Sequence, residues 1–326
     1  MADLDAAVTV AEQVLADRAR FGVNLGERTT YRVGGPALVF VEARDVQTLC
    51  DVGRVAELTG LPTMVIGRGS NLLVADSGFP GIAVALAEGF DGISISPCAD
   101  QPGVEVQAGG AVLMPVLARR SVAEGLTGLE WMVGVPGSVG GAVRMNAGGH
   151  GSDVAEAIVS ADVVDLSTGR LGPWSPSELG LGFRRSNIEP HHVVVSATFR
   201  LSPGDRSRGE QTLHDIVTWR RENQPGGQNA GSVFVNPHEG QVSAGRLIDE
   251  AGLKGMRLGT AQVSTKHANF IQADPRGRAD DVFALMCLIA DRVEEHHGIR
   301  LRSEVRLVGF EAGALAHESD AAGGNP

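Results

Sequence analysis

Apolar residues in this 326-residue chain recur in short blocks separated by glycine and polar turns. Their spacing predicts an opening helix over about Asp5 to Ala19, then a strand at Ala37-Leu-Val-Phe-Val-Glu42. Asp45 is placed to cap a helix running to Leu58, Gly60-Leu-Pro62 ends it, and Thr63-Met-Val-Ile66 reads as a buried strand. The loop Gly67-Arg-Gly-Ser-Asn71 leads straight into Leu72-Leu-Val-Ala75 and then Ile82-Ala-Val-Ala-Leu86, so no helix follows its glycines. Between Ile93 and Ser202 the pattern predicts strands at 104–108, 160–166 and 193–201, and a helix with Pro115 in its first turn that runs to Glu124. Residues 203–209 read as a polar linker, after which Thr212 and Asp215 have the spacing of a capping box. Asp280 is expected to open an amphipathic helix in which Val282, Met286, Ile289 and Val293 share a face, with Gly298 as its stop. A strand over 304–310 closes the folded part, and 311–326 has the composition of a disordered tail.

The length favours two or three domains over a single core. With 28 basic against 39 acidic residues the chain carries −11, and no stretch gathers Lys and Arg into a patch suited to a phosphate backbone, which argues against a nucleic-acid partner. Acidic residues flank the start, where an export signal needs basic ones, and no apolar run reaches membrane-spanning length. A cytoplasmic protein is expected. Cys50, Cys98 and Cys287 are odd in number and widely spaced, as reduced thiols would be. His191-His192 and His296-His297 are adjacent pairs that lack helical metal-ligand spacing, so no metal is expected.

Glycine is the outlier, at 44 residues, and it collects at 67–69, 103–110, 125–151 and 226–231. Such clusters are needed where backbone takes positive φ or lies close to a ligand. Gly67-Arg-Gly-Ser-Asn-Leu72 fails the dinucleotide fingerprint because position 72 is Leu and a strand follows. No P-loop exists, since Gly-Lys never occurs. Two readings of the glycine loops remain, tight turns of steric origin or backbone N–H nests that hold a pyrophosphate. The run Gly134-Val-Pro-Gly-Ser-Val-Gly-Gly-Ala-Val-Arg-Met-Asn-Ala-Gly-Gly149 favours the second, having many adjacent positions with little side chain.

Eight segments in order carry a resemblance to a known family. They are Thr30-Tyr-Arg-Val-Gly-Gly-Pro36 with Gly67–Val74, the Gly134–Gly149 run, Phe183-Arg184-Arg-Ser186, Ala230-Gly-Ser232-Val-Phe-Val-Asn236-Pro237, Gly245–Gly255 with Lys266-His-Ala-Asn-Phe-Ile271, and Glu304-Val-Arg-Leu-Val-Gly309. Together they resemble the UDP-N-acetylenolpyruvoylglucosamine reductases, also called UDP-N-acetylmuramate dehydrogenases. The resemblance implies an α+β protein, with a two-subdomain FAD-binding domain of the vanillyl-alcohol-oxidase (PCMH) type and a C-terminal α+β substrate-binding domain. Placed on this chain, these cover 21–203 (subdomains about 21–92 and 93–203) and 208–310, after an N-terminal helix in 1–20. FAD would be held by Gly67, Arg68, Gly69, Ser70, Asn71, Leu72, Pro136, Gly137, Ser138, Gly140, Asn146, Gly149 and Val194. NADPH would reduce the flavin and leave, and the enolpyruvyl ether of UDP-N-acetylglucosamine would then be reduced to UDP-N-acetylmuramate.

The family's catalytic groups match Arg184, Ser232 and Glu304. A hydride added to enolpyruvyl C3 leaves a doubly negative enolate, and a planar guanidinium at Arg184 suits its carboxylate. Glu304 would act protonated, because an ionised carboxylate would repel the enolate. Ser232 would give the proton to C2, an acceptor basic enough to take it from a hydroxyl. Arg220, Asn236, Lys266 and Asn269 would line the nucleotide-sugar site. Two departures stand out. Tyr31, the only tyrosine, lies in the expected FAD region, which excludes the branch with a gripping tyrosine loop; and His150 replaces the Tyr of a common Ala-Tyr-Gly ending. A flavin oxidase of the same fold, or a UDP-sugar-binding regulator without turnover, are the alternatives. A monomer or weak homo-oligomer is expected.

Overall fold

The computed structural model describes residues 4–98, 102–237, 242–310 and 315. The chain divides into two compact units: Met1–Gly22, Leu38–Arg68 and Pro80–Arg220 form the first, and Val23–Ala37, Gly69–Phe79 and Arg221–Pro326 the second. This is not the contiguous division expected, because two early segments belong with the C-terminal part. The tail expected at 311–326 lies outside the described residues, apart from Leu315, which is buried in the second unit's core.

The first unit contains a four-stranded sheet in the order Ala19–Asn24, Pro36–Ala43, Phe79–Leu86, Thr63–Val65. Helices Leu4–Leu15 and Val46–Thr59 cover it, burying Ala7, Ala11 and Leu15 at four-residue spacing, and Leu49, Val52 and Val55, against Val39, Val41, Ile82 and Val84. Asp45 caps the second helix as expected, accepting the Thr48 N–H at 2.7 Å, and Gly60 ends it at φ 69°. Gly53 has a packing reason: a Cβ there would stand 1.9 Å from the carbonyl oxygen of Leu166, just past the end of a strand of the second sheet.

That second, antiparallel sheet runs Arg170–Trp174, Ile158–Asp165, His192–Pro203, Val104–Gly109, Ile93–Pro97, with Leu126–Thr127 pairing on the end of His192–Pro203. The long central strand changes faces. Its register slips between Asp162↔Ser196 and Val163↔Val194, leaving Val195 extra. Before the bulge the odd residues Val193 and Val195 face the core shared with the first helices; after it Ala197, Phe199 and Leu201 face the opposite core, beneath helix Met114–Ala123.

Residues expected to form a linker enter a helix instead, Arg206–Asn223. Asp205 starts it by accepting the Arg208 N–H, while Thr212 is interior, its hydroxyl bonding back to the Arg208 carbonyl at 3.0 Å. The glycine run also holds an unforeseen helix, Val139–Met145, where an irregular loop was expected.

In the second unit, Leu72–Val74 pairs in parallel with Arg306–Val308, a shorter strand than the sequence pattern implied. A three-stranded antiparallel sheet, Arg257–Leu258, Ala261–Val263 and Ile271–Ala273, packs with helix Ala279–His297. Its expected apolar face is buried, and Gly298 ends it at φ 69°. The cap comes from far away in sequence: Asp76 accepts the Ala279 and Asp280 N–H groups, at 3.0 and 3.2 Å. Tyr31 and Val33 are in this core, not in the first unit. Gly34 and Gly35 hold them there, since a Cβ on either would lie within 2.5 Å of the backbone oxygens of Val74 or Asp76.

Candidate functional site

In the first unit, strand Thr63–Val65 carries Gly67 to the long glycine run. A Cβ on Gly67 would meet the Ser138 hydroxyl at 2.4 Å, so the two loops touch there. Ser138 opens helix Val139–Met145, accepting from the Gly141 N–H at 3.5 Å. The Met114 N–H donates to Gly137 O (3.0 Å), the Gly140 N–H to Gly110 O (2.9 Å), and the Val139 N–H to Val112 O (2.9 Å). Buried Val194 presents its carbonyl to Gly110 and Gly140, on which Cβ atoms would stand 2.1 and 2.9 Å away.

The steric and ligand readings of the glycines therefore both hold, at different positions. Gly67 and Gly140 are glycine because protein atoms leave no room. Gly141 would meet only the Ser138 hydroxyl, at 3.5 Å, and Gly149 nothing within 4 Å. Residues 136–149 contain no carboxylate and one basic residue, Arg144. Open backbone beside a hydroxyl, without opposing charge, fits the diphosphate of a flavin dinucleotide. Arg68 is exposed beside Gly67.

Beyond the helix, Asn146 takes a left-handed conformation (φ 39°) and a tight hairpin follows, Gly148–Gly149 pairing with Ser152–Asp153. His150 and Gly151 form its two-residue turn, with φ of 54° and 85°, the mirror-image turn that suits strand twist. The His150 ring packs edge-on to Trp219, centroids 5.2 Å apart. Burial there, together with the neighbouring Arg220 charge, pulls its imidazole below the usual range. Arg220 donates to the Gly134 carbonyl, and burial lowers its own pKa.

Arg184 sits in a two-residue turn closed by reciprocal Gly182 and Arg185 bonds of 3.0 and 3.1 Å. Its φ is 55°, a left-handed conformation costly for a residue with a Cβ. The guanidinium is half-buried and donates to Gly148 O at 3.1 Å, whereas Arg185 is exposed. This geometry favours Arg184 over its neighbour. Asn146 was expected at the cofactor, yet its amide bonds Asp153, Gly182 and Ala155 of the protein.

In the second unit, Gly69 (φ 58°) lies against Arg28 and Thr29, where a Cβ would be 2.4 Å from the Arg28 oxygen. Ser70 and Leu72 are half-buried beside it, and Leu72 pairs with Arg306. Asn71 clamps the final strand: its amide donates to Glu304 O at 3.0 Å and its carbonyl accepts the Arg306 N–H. The Glu304 N–H donates to Val233 O at 2.8 Å, and Phe234 bridges to Ser303. Ser232 and Glu304 are thereby set on neighbouring backbone segments, 72 positions apart in sequence but one ladder rung apart in space. The Asn269 amide is buried and bonds both the N–H and carbonyl of Phe234, at 3.0 and 2.9 Å, so it shapes the Ser232 segment. Asn236 accepts the Ala244 N–H at the start of helix Ala244–Glu250, and Lys266 donates to Arg221 O at 2.6 Å; both are exposed.

One cluster contradicts the dismissal of the histidine pairs on spacing alone. Asp165 is the register partner of His192, and these two with His191 offer ligand atoms within 4.8 Å of one another. Some of their atoms already have protein partners: His192 Nδ1 accepts the Glu189 N–H, and Asp165 accepts from Ser167 and Thr168.

Comparison with known proteins gives two family matches. Residues 223–308 match the C-terminal domain of UDP-N-acetylenolpyruvoylglucosamine reductase, and residues 37–172 match an FAD binding domain. The UDP-N-acetylenolpyruvoylglucosamine reductase of Rubrobacter xylanophilus is 40% identical over 299 residues, covering 91% of this chain and 97% of the relative. That of Synechococcus sp. (strain CC9605) is 42% identical over 296 residues, covering 90% and 96%. Among solved structures, UDP-N-acetylenolpyruvylglucosamine reductase from Thermus caldophilus superposes with a TM-score of 0.75 at 35% identity, over 89% of this chain and 99% of that one.

Proposed function

The chain belongs to the UDP-N-acetylenolpyruvoylglucosamine reductase family, and from that premise we propose how its own residues divide the work of the reaction. The enzyme is an FAD-dependent oxidoreductase that uses NADPH to reduce UDP-N-acetyl-3-O-(1-carboxyvinyl)-glucosamine to UDP-N-acetylmuramate in peptidoglycan precursor synthesis. When bound, FAD supplies the chemistry of accepting a hydride from NADPH and passing it to enolpyruvyl C3. Gly67, Arg68, Pro136, Gly137, Ser138, Gly141 and Gly149 would hold it, the backbone at Gly141 and Gly149 being open enough to receive a diphosphate.

Arg184 binds the enolpyruvyl carboxylate and offsets the charge that grows on it. Ser232 donates its hydroxyl proton to C2, so that one hydride and one proton complete the saturated lactyl ether. Glu304, in its protonated form, donates a hydrogen bond to the enolate oxygen. Arg220 and Lys266 bring positive charge to the nucleotide diphosphate, while Asn71 and Asn269 hold the Glu304 and Ser232 backbones. The observation that carries this assignment is the left-handed Arg184, half-buried and tied to the hairpin of the glycine run. Strained conformations of this kind persist where the surroundings over-determine them, typically at functional sites.

No helix among the described residues is long and apolar enough to cross a membrane. We place the enzyme in the cytoplasm, with its soluble nucleotide-sugar substrate, as a monomer or weak homo-oligomer. The scheme is tested by initial velocities at varied NADPH and enolpyruvyl sugar. Parallel double-reciprocal lines are expected, since NADPH is consumed before the second substrate is reduced; intersecting lines from an obligatory ternary complex would count against it.

A further inference from the structure

We infer that Asn146 is a positioning residue for Arg184 and not a flavin contact; this rests on the reading of Arg184 as the carboxylate-binding group. The side chain of Asn146 is 3% exposed and sits where helix Val139–Met145 ends. Its two amide N–H groups donate to Asp153 Oδ2 and to Gly182 O, both at 3.0 Å, and its Oδ1 accepts the Ala155 N–H at 3.0 Å. Gly182 is the first residue of the turn that displays Arg184. The other side of that turn is fastened by Ser186, whose hydroxyl donates to Arg144 O at 2.6 Å. Both anchors thus lie within residues 144–146.

The contacts close a ring. Asn146 bonds Asp153, Asp153 pairs with Gly148, Gly148 accepts from Arg184, and the Arg184 turn returns through Gly182 to Asn146. The ring has little slack: a Cβ on Gly148 would be 2.7 Å from Asp153 Cβ, and one on Gly182 2.5 Å from Arg185 Nε. A carboxamide supplies both donors and the acceptor from one short side chain, and asparagine tolerates the left-handed backbone. A buried group whose donors are all taken by protein has none to give a flavin. Its function is to fix the path of the turn, and with it the guanidinium.

Half-reactions of the holoenzyme separate this role from simple capping. In Asn146→Asp a carboxylate would face Asp153 and the Gly182 carbonyl with no donor among them. Reoxidation of the reduced flavin by the enolpyruvyl sugar is expected to slow roughly 10- to 100-fold, as for a catalytic group displaced by about 1 Å. Flavin content and reduction by NADPH stay near wild type. Adding Asp153→Asn returns a donor to the 146–153 contact but not to Gly182, so the double variant recovers its thermal midpoint and not its reoxidation rate. Asn146→Gly, which suits the left-handed backbone, carries the test if the aspartate variant does not fold. Recovery of rate together with midpoint would overturn the inference, as would a parallel loss of flavin content and of both half-reactions. Arg184→Lys is the reference arm. If it leaves reoxidation intact the reading of Arg184 itself fails, whereas a slow Arg184→Lys beside a fast Asn146→Gly defeats only the positioning role.

Discussion

Ser232→Ala is expected to slow reoxidation of the reduced flavin by the enolpyruvyl sugar by about 10²- to 10⁴-fold, the span typical of a lost general acid. The protein should otherwise be undisturbed. Backbone on the C-terminal side of Ser232 is held by bonds from the Val233 N–H to Asn269 O, from the Phe234 N–H to the Asn269 amide, and from the Glu304 N–H to Val233 O. Val233 and Phe234 are buried in the second unit's core, whereas Ser232 is only half-buried. Removing one oxygen there leaves that scaffold in place, so NADPH should still bleach the flavin at the wild-type rate. Ser232→Cys, which keeps a proton on a similarly placed atom, should recover part of the loss. If the alanine variant reoxidises normally, the proton reaches C2 from elsewhere.

Arg184→Ala is expected to cost about 10²- to 10³-fold in the same half-reaction, comparable with removing one donor from an oxyanion site. The sign of its stability change separates catalysis from architecture. Arg184 occupies a conformation that disfavours any residue with a Cβ by about 1–2 kcal/mol, which Arg184→Gly would relieve while giving up side-chain interactions that include the bond to Gly148 and the contact over the Phe183 ring. That glycine variant should therefore unfold within about 1 kcal/mol of wild type yet be as slow as the alanine. A structural ion-pair arginine would behave in the opposite way, with stability falling and rate preserved. The measurements are thermal unfolding and stopped-flow flavin absorbance on the same samples.

Local signals told most where the chain satisfies itself locally. Asp45, Gly60 and Gly298 cap as their neighbours imply, and Val282, Met286, Ile289 and Val293 keep helical spacing because one core covers that whole face. The helix over Val139–Met145 was hidden by its glycines, whose low helical propensity is overridden by packing on Gly110 and Val194. The face change at Val195 cannot be read from alternation, because Val193, Val194 and Val195 are three apolar residues in a row, each buried in one core or the other, and strict alternation with half-exposed polar residues begins only at Ser196. The cap on helix Ala279–His297 was invisible for another reason, since Asp76 provides it from about 200 positions away.

For the site, the resemblance located Arg184, Ser232 and Glu304, and the residues alone did not rank them. In sequence, Arg302-Ser-Glu304-Val-Arg306 alternates charges as a surface strand would; in the structure most of it precedes the strand Arg306–Val308, and Asn71 and Val233 grip its backbone. Glycine was read as a sign of ligand, and at Gly67, Gly69 and Gly140 it is a sign of protein lying too close for a Cβ. Asn146, Asn269 and Asn71 carried ligand expectations, but hydrogen bonds to the protein use the side chains of all three. Motifs mark that such residues matter. Only coordinates separate touching the ligand from holding what touches it.

The central claim is that one flavin serves NADPH and the enolpyruvyl sugar in turn. Its most direct test is anaerobic: NADPH is added to the yellow holoenzyme until the flavin absorbance is bleached, and the enolpyruvyl sugar is then introduced without oxygen. Full return of the oxidised spectrum, with one UDP-N-acetylmuramate formed per flavin, is the result predicted. A flavin that stays bleached with the enolpyruvyl sugar and recovers only in air would contradict it.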